Sequence, residues 1–259
     1  MKDCREEWYD PEQKVAVTIV DVTEAAQTLA RAHLCGPTSA HYLTKALAAV
    51  ALLGAETGEK DETVILQMKC DGPLGGLNVE CTAAGTLRGY TEKKILNDFD
   101  GLGAPDDAQV LGARQIQITR SVPGHILSQG LAATLEDYFA GSLQRKAAIY
   151  LEAAVSDEVE ILGARGVLVE ALPDATANVR AFVPGKLSVA GRTLLARMGL
   201  ARAELRRTAP LRFACRCSPE RARAMLGALS AEEKKDLPPT VDVTCHMCGR
   251  IFTVPTATL

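Results

Sequence analysis

Two close pairs of cysteines, Cys215-Arg-Cys217 and Cys245-His-Met-Cys248, stand at opposite ends of a segment with 27 residues between them. Brought together, two such pairs supply the four tetrahedral sulfur donors that a structural zinc ion favours. His246 lies inside the second pair, but four thiolates already fill the site. The expected Zn²⁺ ligands are therefore Cys215, Cys217, Cys245 and Cys248, one ion for the set. Free cysteines are often simply buried apolar residues; that accounts for one pair by chance, not for two. Thiolates are also what oxidants attack, so conversion to disulfides would remove ligands and metal together. Cys245 and Cys248 can close a disulfide readily, whereas a Cys215–Cys217 bridge spans one residue and is more strained.

The elements that must position these ligands have little core of their own. From Leu211 onward the apolar residues are few, among them Phe213, Met225, Leu226, Leu229, Val241, Val243, Phe252 and Val254, and so short a unit rarely folds without a staple. Structural zinc supplies on the order of 10–16 kcal/mol in small zinc peptides, enough to decide whether the unit folds. Ser218-Pro219-Glu220 predicts a capped helix start, and Gly249 suits the turn that closes the second cysteine pair.

Upstream, Val15–Val22 alternates like a half-buried strand, and Thr23 is a plausible cap for a helix to His33. Ser39–Leu53, apolar on most faces, predicts a buried helix ending near Gly54. Strands follow over Thr63–Lys69, Gly76–Cys81 and Thr86–Tyr90, with turns at Asp71-Gly72-Pro73 and Ala84-Gly85. Val110–Arg120 alternates, Leu131–Tyr138 reads as helical with His125 in a loop before it, and Gln144–Val155 with Glu158–Leu172 reads as a long strand pair. The class is α+β: an N-terminal core of twisted, mainly antiparallel sheet with helices, a helical linker and a small C-terminal zinc-binding domain. The expected boundaries are 1–175, 176–210 and 211–259. Within the linker, one helix from Val189 to about Arg207 would place Leu194, Leu195, Met198 and Leu205 on one side. Six arginines against Glu204 between Arg192 and Arg212 read either as a solvated face or as part of a loosely packed, releasable connector.

Composition narrows the function classes. Eight cysteines in 259 residues are too dilute for a secreted disulfide scaffold, the polar start is no signal peptide, and no apolar run approaches a membrane span. A net charge of −3 argues against bulk electrostatic binding of nucleic acid. A zinc-ribbon nucleic-acid-binding protein would use Arg216, Arg221, Arg223, Lys234, Lys235 and Arg250, but Glu220, Glu232, Glu233, Asp236 and Asp242 nearly cancel them. A thiol–disulfide oxidoreductase built on Cys245–Cys248 lacks the strand–motif–helix context that chemistry uses. Gly72–Gly76 is a tight turn rather than a phosphate loop, since no Gly-Lys-Ser/Thr follows. His33 and His41 have no obvious partners; Cys35, Cys70 and Cys81 lack ligand spacing, as does Cys4, which could be reactive in its polar terminus.

Leu211-Arg-Phe-Ala-Cys-Arg-Cys217-Ser-Pro-Glu-Arg221, with Val-Thr-Cys245-His-Met-Cys248-Gly and Ile-Phe252, resembles the zinc segment of the heat shock protein 33 family. The likeness extends to Cys70-Asp-Gly-Pro-Leu-Gly-Gly-Leu-Asn-Val-Glu80, Leu87-Arg-Gly-Tyr90, Tyr138-Phe-Ala-Gly-Ser142 and Ala164-Arg-Gly166 through Pro173, nearly the whole chain. The resemblance implies a cytoplasmic, ATP-independent holdase chaperone rather than an enzyme. Oxidation would release zinc, form disulfides Cys215–Cys217 and Cys245–Cys248, expose apolar surface and favour a homodimer that binds unfolding client proteins. The chain departs from the family at Ser142-Leu143-Gln144, where an acidic residue is usual, and has a short stretch between Pro173 and Cys215.

Overall fold

The computed structural model describes residues 2–189 and 191–259. Met1 and Ala190, the second of them inside the expected 189–207 helix, lie outside the described residues. Along the chain run β1 (Cys4–Asp10), β2 (Val15–Asp21), α1 (Thr23–Ala32), α2 (Pro37–Leu53), β3 (Thr63–Cys70), β4 (Gly76–Thr82), β5 (Thr86–Thr91), α3 (Asp107–Val110), β6 (Arg114–Val122), β7 (His125–Ala132), α4 (Leu135–Gly141), β8 (Ala147–Val155) and β9 (Ile161–Ala171). The connector contributes α5 (Gly191–Arg197) and β10 (Glu204–Pro210). After it come β11 (Arg212–Phe213), α6 (Pro219–Gly227), α7 (Ala231–Lys235), β12 (Thr240–Thr244) and β13 (Ile251–Pro255).

The strands form one antiparallel sheet in the order β10-β1-β2-β9-β8, a second in the order β11-β5-β4-β3-β6-β7, and the small β12-β13 hairpin. In the second sheet every pairing is antiparallel except β11 on β5. α2 lies between the two large sheets, which is why its sequence is apolar on nearly every face. Its Leu43, Leu47 and Val50 share one core with Val20, Ala164 and Leu168 of the first sheet and Val64, Val79 and Leu87 of the second.

Several local expectations need correction. Thr23 does not cap α1; it is the first helical residue, and its hydroxyl donates to Asp21 Oδ1. The cap comes from the buried carboxylate of Asp3, which accepts from the Glu24 and Ala25 backbone N–H groups at 2.9 and 2.7 Å. His125 begins a strand rather than sitting in a loop. Leu131 still belongs to that strand, which ends at Ala132, and the helix starts later, behind a capping box formed by Thr134 and Asp137.

The largest difference falls in the connector. The expected 189–207 helix stops at Arg197, because Gly199 adopts a left-handed conformation (φ +79°). The Leu200 N–H then donates to the Leu195 carbonyl and the Gly199 N–H to the Ala196 carbonyl, the Schellman pattern that ends a helix. The chain turns extended, and β10 adds an edge strand to β1. Leu194, Leu195 and Met198 are buried as expected, at 1, 1 and 5% exposure. Leu205 does not join them; it stands on β10, about half exposed. The buried three pack with Trp8, Val15, Val17, Val167 and Val169 in a second core, on the face of the first sheet that points away from α2. Three of the arginines contact β1 and the turn after it. Arg192 lies over the Trp8 ring and Arg206 over Tyr9, at 5.0 and 5.4 Å from the centroids, and Arg202 pairs with Glu12.

Burial raises the Asp3 carboxyl to about 6, against two backbone hydrogen bonds that lower it. A folded-state value above the ordinary one means that the stability tied to Asp3 is present at low pH and lost as pH rises through about 6. Asparagine keeps a carbonyl acceptor without that titration. Asp3→Asn should therefore gain on the wild type by on the order of 2 kcal/mol between about pH 4 and about pH 7. Parallel stability curves from urea unfolding across that range would refute the assignment.

Candidate metal centre

Two local structures deliver the four sulfurs. β11 runs parallel to β5, and the Ala214 N–H continues the ladder by donating to the Leu87 carbonyl at 3.1 Å, which brings Cys215 beside Arg88. Cys217 then leads into α6, whose cap is Ser218, its hydroxyl accepting from the Arg221 N–H, with Pro219 in the first turn. The second pair sits at the tip of the β12–β13 hairpin. There the Cys245 N–H donates to the Arg250 carbonyl, and the Cys248 and Gly249 N–H groups donate back to the Cys245 carbonyl. Gly249 has φ +70°, and a Cβ on it would lie 2.2 Å from the Ala32 carbonyl oxygen. Only glycine both turns the chain here and lets the hairpin tip settle on the end of α1.

The four Sγ atoms lie within 4.8 Å of one another. Cys215 and Cys245 approach to 3.7 Å and Cys217 and Cys248 to 3.5 Å. Four sulfurs about 2.3 Å from a central zinc in a tetrahedron would stand roughly 3.8 Å apart, so the set fits that ion. The electrostatics also suit a cation. Burial works to raise the Cys215 thiol, but hydrogen bonds from the Cys217 N–H, Arg88 and the neighbouring thiols outweigh it and bring the group down to about 7. Cys217 and Cys248 are raised, by burial first. Four thiolates this close repel one another unless a cation lies among them.

The centre is not a detached lobe. Cys248 is buried in the main core, with Cys215, Cys217 and Cys245 packed against it and Leu211 alongside. The Gly89 N–H donates to the Met247 carbonyl, and buried His33 meets the Gly89 carbonyl through Nε2 at 2.9 Å. His246 is absent from the ligand cluster; its ring stands edge-on to Tyr90, centroids 6.0 Å apart. The sequence alone leaves His33 without a partner and shows Arg88 only as part of the Leu87–Tyr90 motif, since neither carries a local signal for a contact so distant along the chain. The other cysteines are scattered. Burial raises Cys35 to about 11 and Cys81 to about 12. Cys4, which lacks ligand spacing and whose polar terminus left reactivity open, is part of β1 and half-buried, and burial and the acidic side chains of Glu6, Asp21 and Asp3 raise its thiol. Among the described residues no helix is long and apolar enough to cross a membrane.

Fold and site together define an α+β protein with a four-cysteine cluster, able to hold a metal ion, docked on its core. The family model described as Hsp33 protein matches residues 8–255. The 33 kDa chaperonin of Lacticaseibacillus paracasei is 30% identical over 262 residues, covering 90% of this chain and 88% of that protein. A 33 kDa chaperonin of Thermus thermophilus is 30% identical over 277 residues, covering 92% and 79%. A crystal structure of the 33 kDa chaperonin from Thermotoga maritima superposes with a TM-score of 0.86 at 21% identity, covering 99% of this chain and 96% of that one. The chain belongs to the Hsp33 family of chaperones.

Proposed function

We propose that this protein is a redox-regulated, ATP-independent holdase of the cytoplasm, not an enzyme, that binds unfolding proteins under oxidative stress. The observation that carries the reading is continuity. The connector that covers the outer apolar face of the first sheet runs through β10, Leu211 and β11 directly into Cys215, so the cysteine centre anchors the cover.

The working units are a core over 1–175, a linker over 176–210 and a switch over 211–259. Zinc at Cys215, Cys217, Cys245 and Cys248 would keep the thiolates deprotonated and hold the small unit folded, through on the order of 10–16 kcal/mol of binding. Oxidation joins Cys215 to Cys217 and Cys245 to Cys248. In each step one hydrogen peroxide takes an electron pair from two thiolates and, with two protons, leaves as two waters while the S–S bond forms. Both pairs then cease to be ligands. The unit loses its staple, and Leu194, Leu195 and Met198 leave the sheet with Leu205 at their rim. The uncovered surface binds clients with little selectivity and favours a homodimer.

Suppression of aggregation of a thermally unfolding client, measured on reduced and peroxide-treated protein beside zinc release, tests the reading. Activity that does not change with oxidation would overturn the regulation. Each single serine variant at the four ligands should fail to retain stoichiometric zinc by elemental analysis, because a structural site has no spare donor. Full retention in any one would remove that cysteine from the set.

A further inference from the structure

Three consecutive residues of β5 face the metal centre. Gly89 bonds Met247, Tyr90 meets His246, and Arg88 reaches a ligand itself, its Nη1 lying 3.7 Å from Cys215 Sγ. Arg88 is partly buried and clamped from the other side. Its Nε and Nη2 both contact Oε2 of Glu80, directly opposite on β4, at 2.7 and 2.6 Å. Arg216, between the first two ligands, reaches the same Glu80 oxygen at 3.2 Å. One carboxylate thus serves two guanidiniums, and the local charge balances only if more negative charge lies close by. Four thiolates around one zinc form a doubly negative centre, and Arg88 is the core residue that touches it. A guanidinium suits the task because it stays charged and its planar fork can hold a carboxylate along one edge while another N–H points at sulfur.

We propose that Arg88, fixed by Glu80, is the core's counter-ion for the zinc thiolates, and that losing this partnership is how the core senses their oxidation. Disulfide sulfur carries no charge. Once the thiolates become disulfides, Arg88 and Arg216 share a single carboxylate in a half-buried site, and separating β11 and the hairpin tip from β5 lets water solvate the excess. The second half of this proposal rests on the redox-switch reading; the first half does not.

The full-length, zinc-loaded protein tests both halves without a client. Arg88→Met keeps the stem and removes the charge. It should speed zinc transfer to a colorimetric chelator by roughly 10-fold, the lower end of what outer-shell ligand contacts contribute, and should speed exchange of the Gly89 amide in the reduced state while β2 and β9 keep their protection. Arg88→Lys retains the charge and should stay within about 3-fold of the wild type, the smaller part of that effect. Zinc transfer and Gly89 exchange at wild-type levels in Arg88→Met would overturn the proposal, as would equal effects of Met and Lys, which would point to shape rather than charge. If Arg88→Met lost core protection throughout, Arg88→Gln, which can still bond Glu80, becomes the neutral variant, with the same two outcomes deciding. Oxidised wild type that fails to protect a client, with the Arg88 effects present, would sink the holdase reading and leave the counter-ion standing.

Discussion

Peroxide or a strong chelator is expected to strip amide protection from β11, α6, β12 and β13 first, then from α5 and β10, while β2, β3, β9 and α2 stay protected. The physical ground is the disparity between the cores. Among the described residues, the C-terminal unit's own cluster buries Ala222, Leu226 and Val254, with Leu229, Val241, Val243, Phe252 and Leu259 partly covering it. The main core runs through α1, α2 and both large sheets. Removing on the order of 10–16 kcal/mol of metal binding from so small a cluster leaves nothing to hold it, whereas the main core has a stability of its own. Hydrogen exchange followed by mass spectrometry after oxidation reads the order directly. Uniform loss across the chain would mean one cooperative unit and no separable switch.

Replacing Leu195 and Met198 by aspartate should give chaperone activity in reduced, zinc-bound protein. Both side chains are almost wholly buried against Trp8, Val17, Val167 and their neighbours. Truncating such a residue costs about 2–5 kcal/mol, and a carboxylate adds the penalty of an unpaired charge. The connector is short, and β10 is an edge strand held by β1 alone, so two such losses should lift it from the sheet. Leu205→Asp is the matched control. Leu205 is already exposed, and the change should shift docking by under about 0.5 kcal/mol. A double variant that keeps its zinc and its core protection yet stays inactive until oxidised would show that the connector is a passive tether.

How much of this was legible beforehand differs by element. The strands of the β3–β5 meander and the β8–β9 pair read correctly within a few residues, because their turns carry local chemistry at Asp71–Gly72 and Ser156–Asp157. α2 was recognisable as buried because a helix apolar all round has to sit between layers. β7 was missed for the opposite reason: it is mostly exposed, so its pattern carries little apolar alternation. The stop at Gly199 was readable in principle, as a glycine just past an apolar helical stretch, but the spacing from Met198 to Leu205 outweighed it.

The four-cysteine set could be named from sequence alone because each pair folds within a few residues of itself, and a tetrahedral soft-ligand site needs only that two such pairs meet. The expectation that a metal staples this unit has the same local source, since the apolar residues after Leu211 are few. Only the tertiary structure decided what the centre is attached to. β10 is a strand because β1 offers it an edge, α1 borrows its cap from Asp3, and the cysteines rest on Arg88, Gly89 and Tyr90. A helix closes its hydrogen bonds within four residues and so writes its start and stop locally. A strand, a distant cap and a counter-ion are completed by partners far along the chain, and those pairings exist only once the chain has folded.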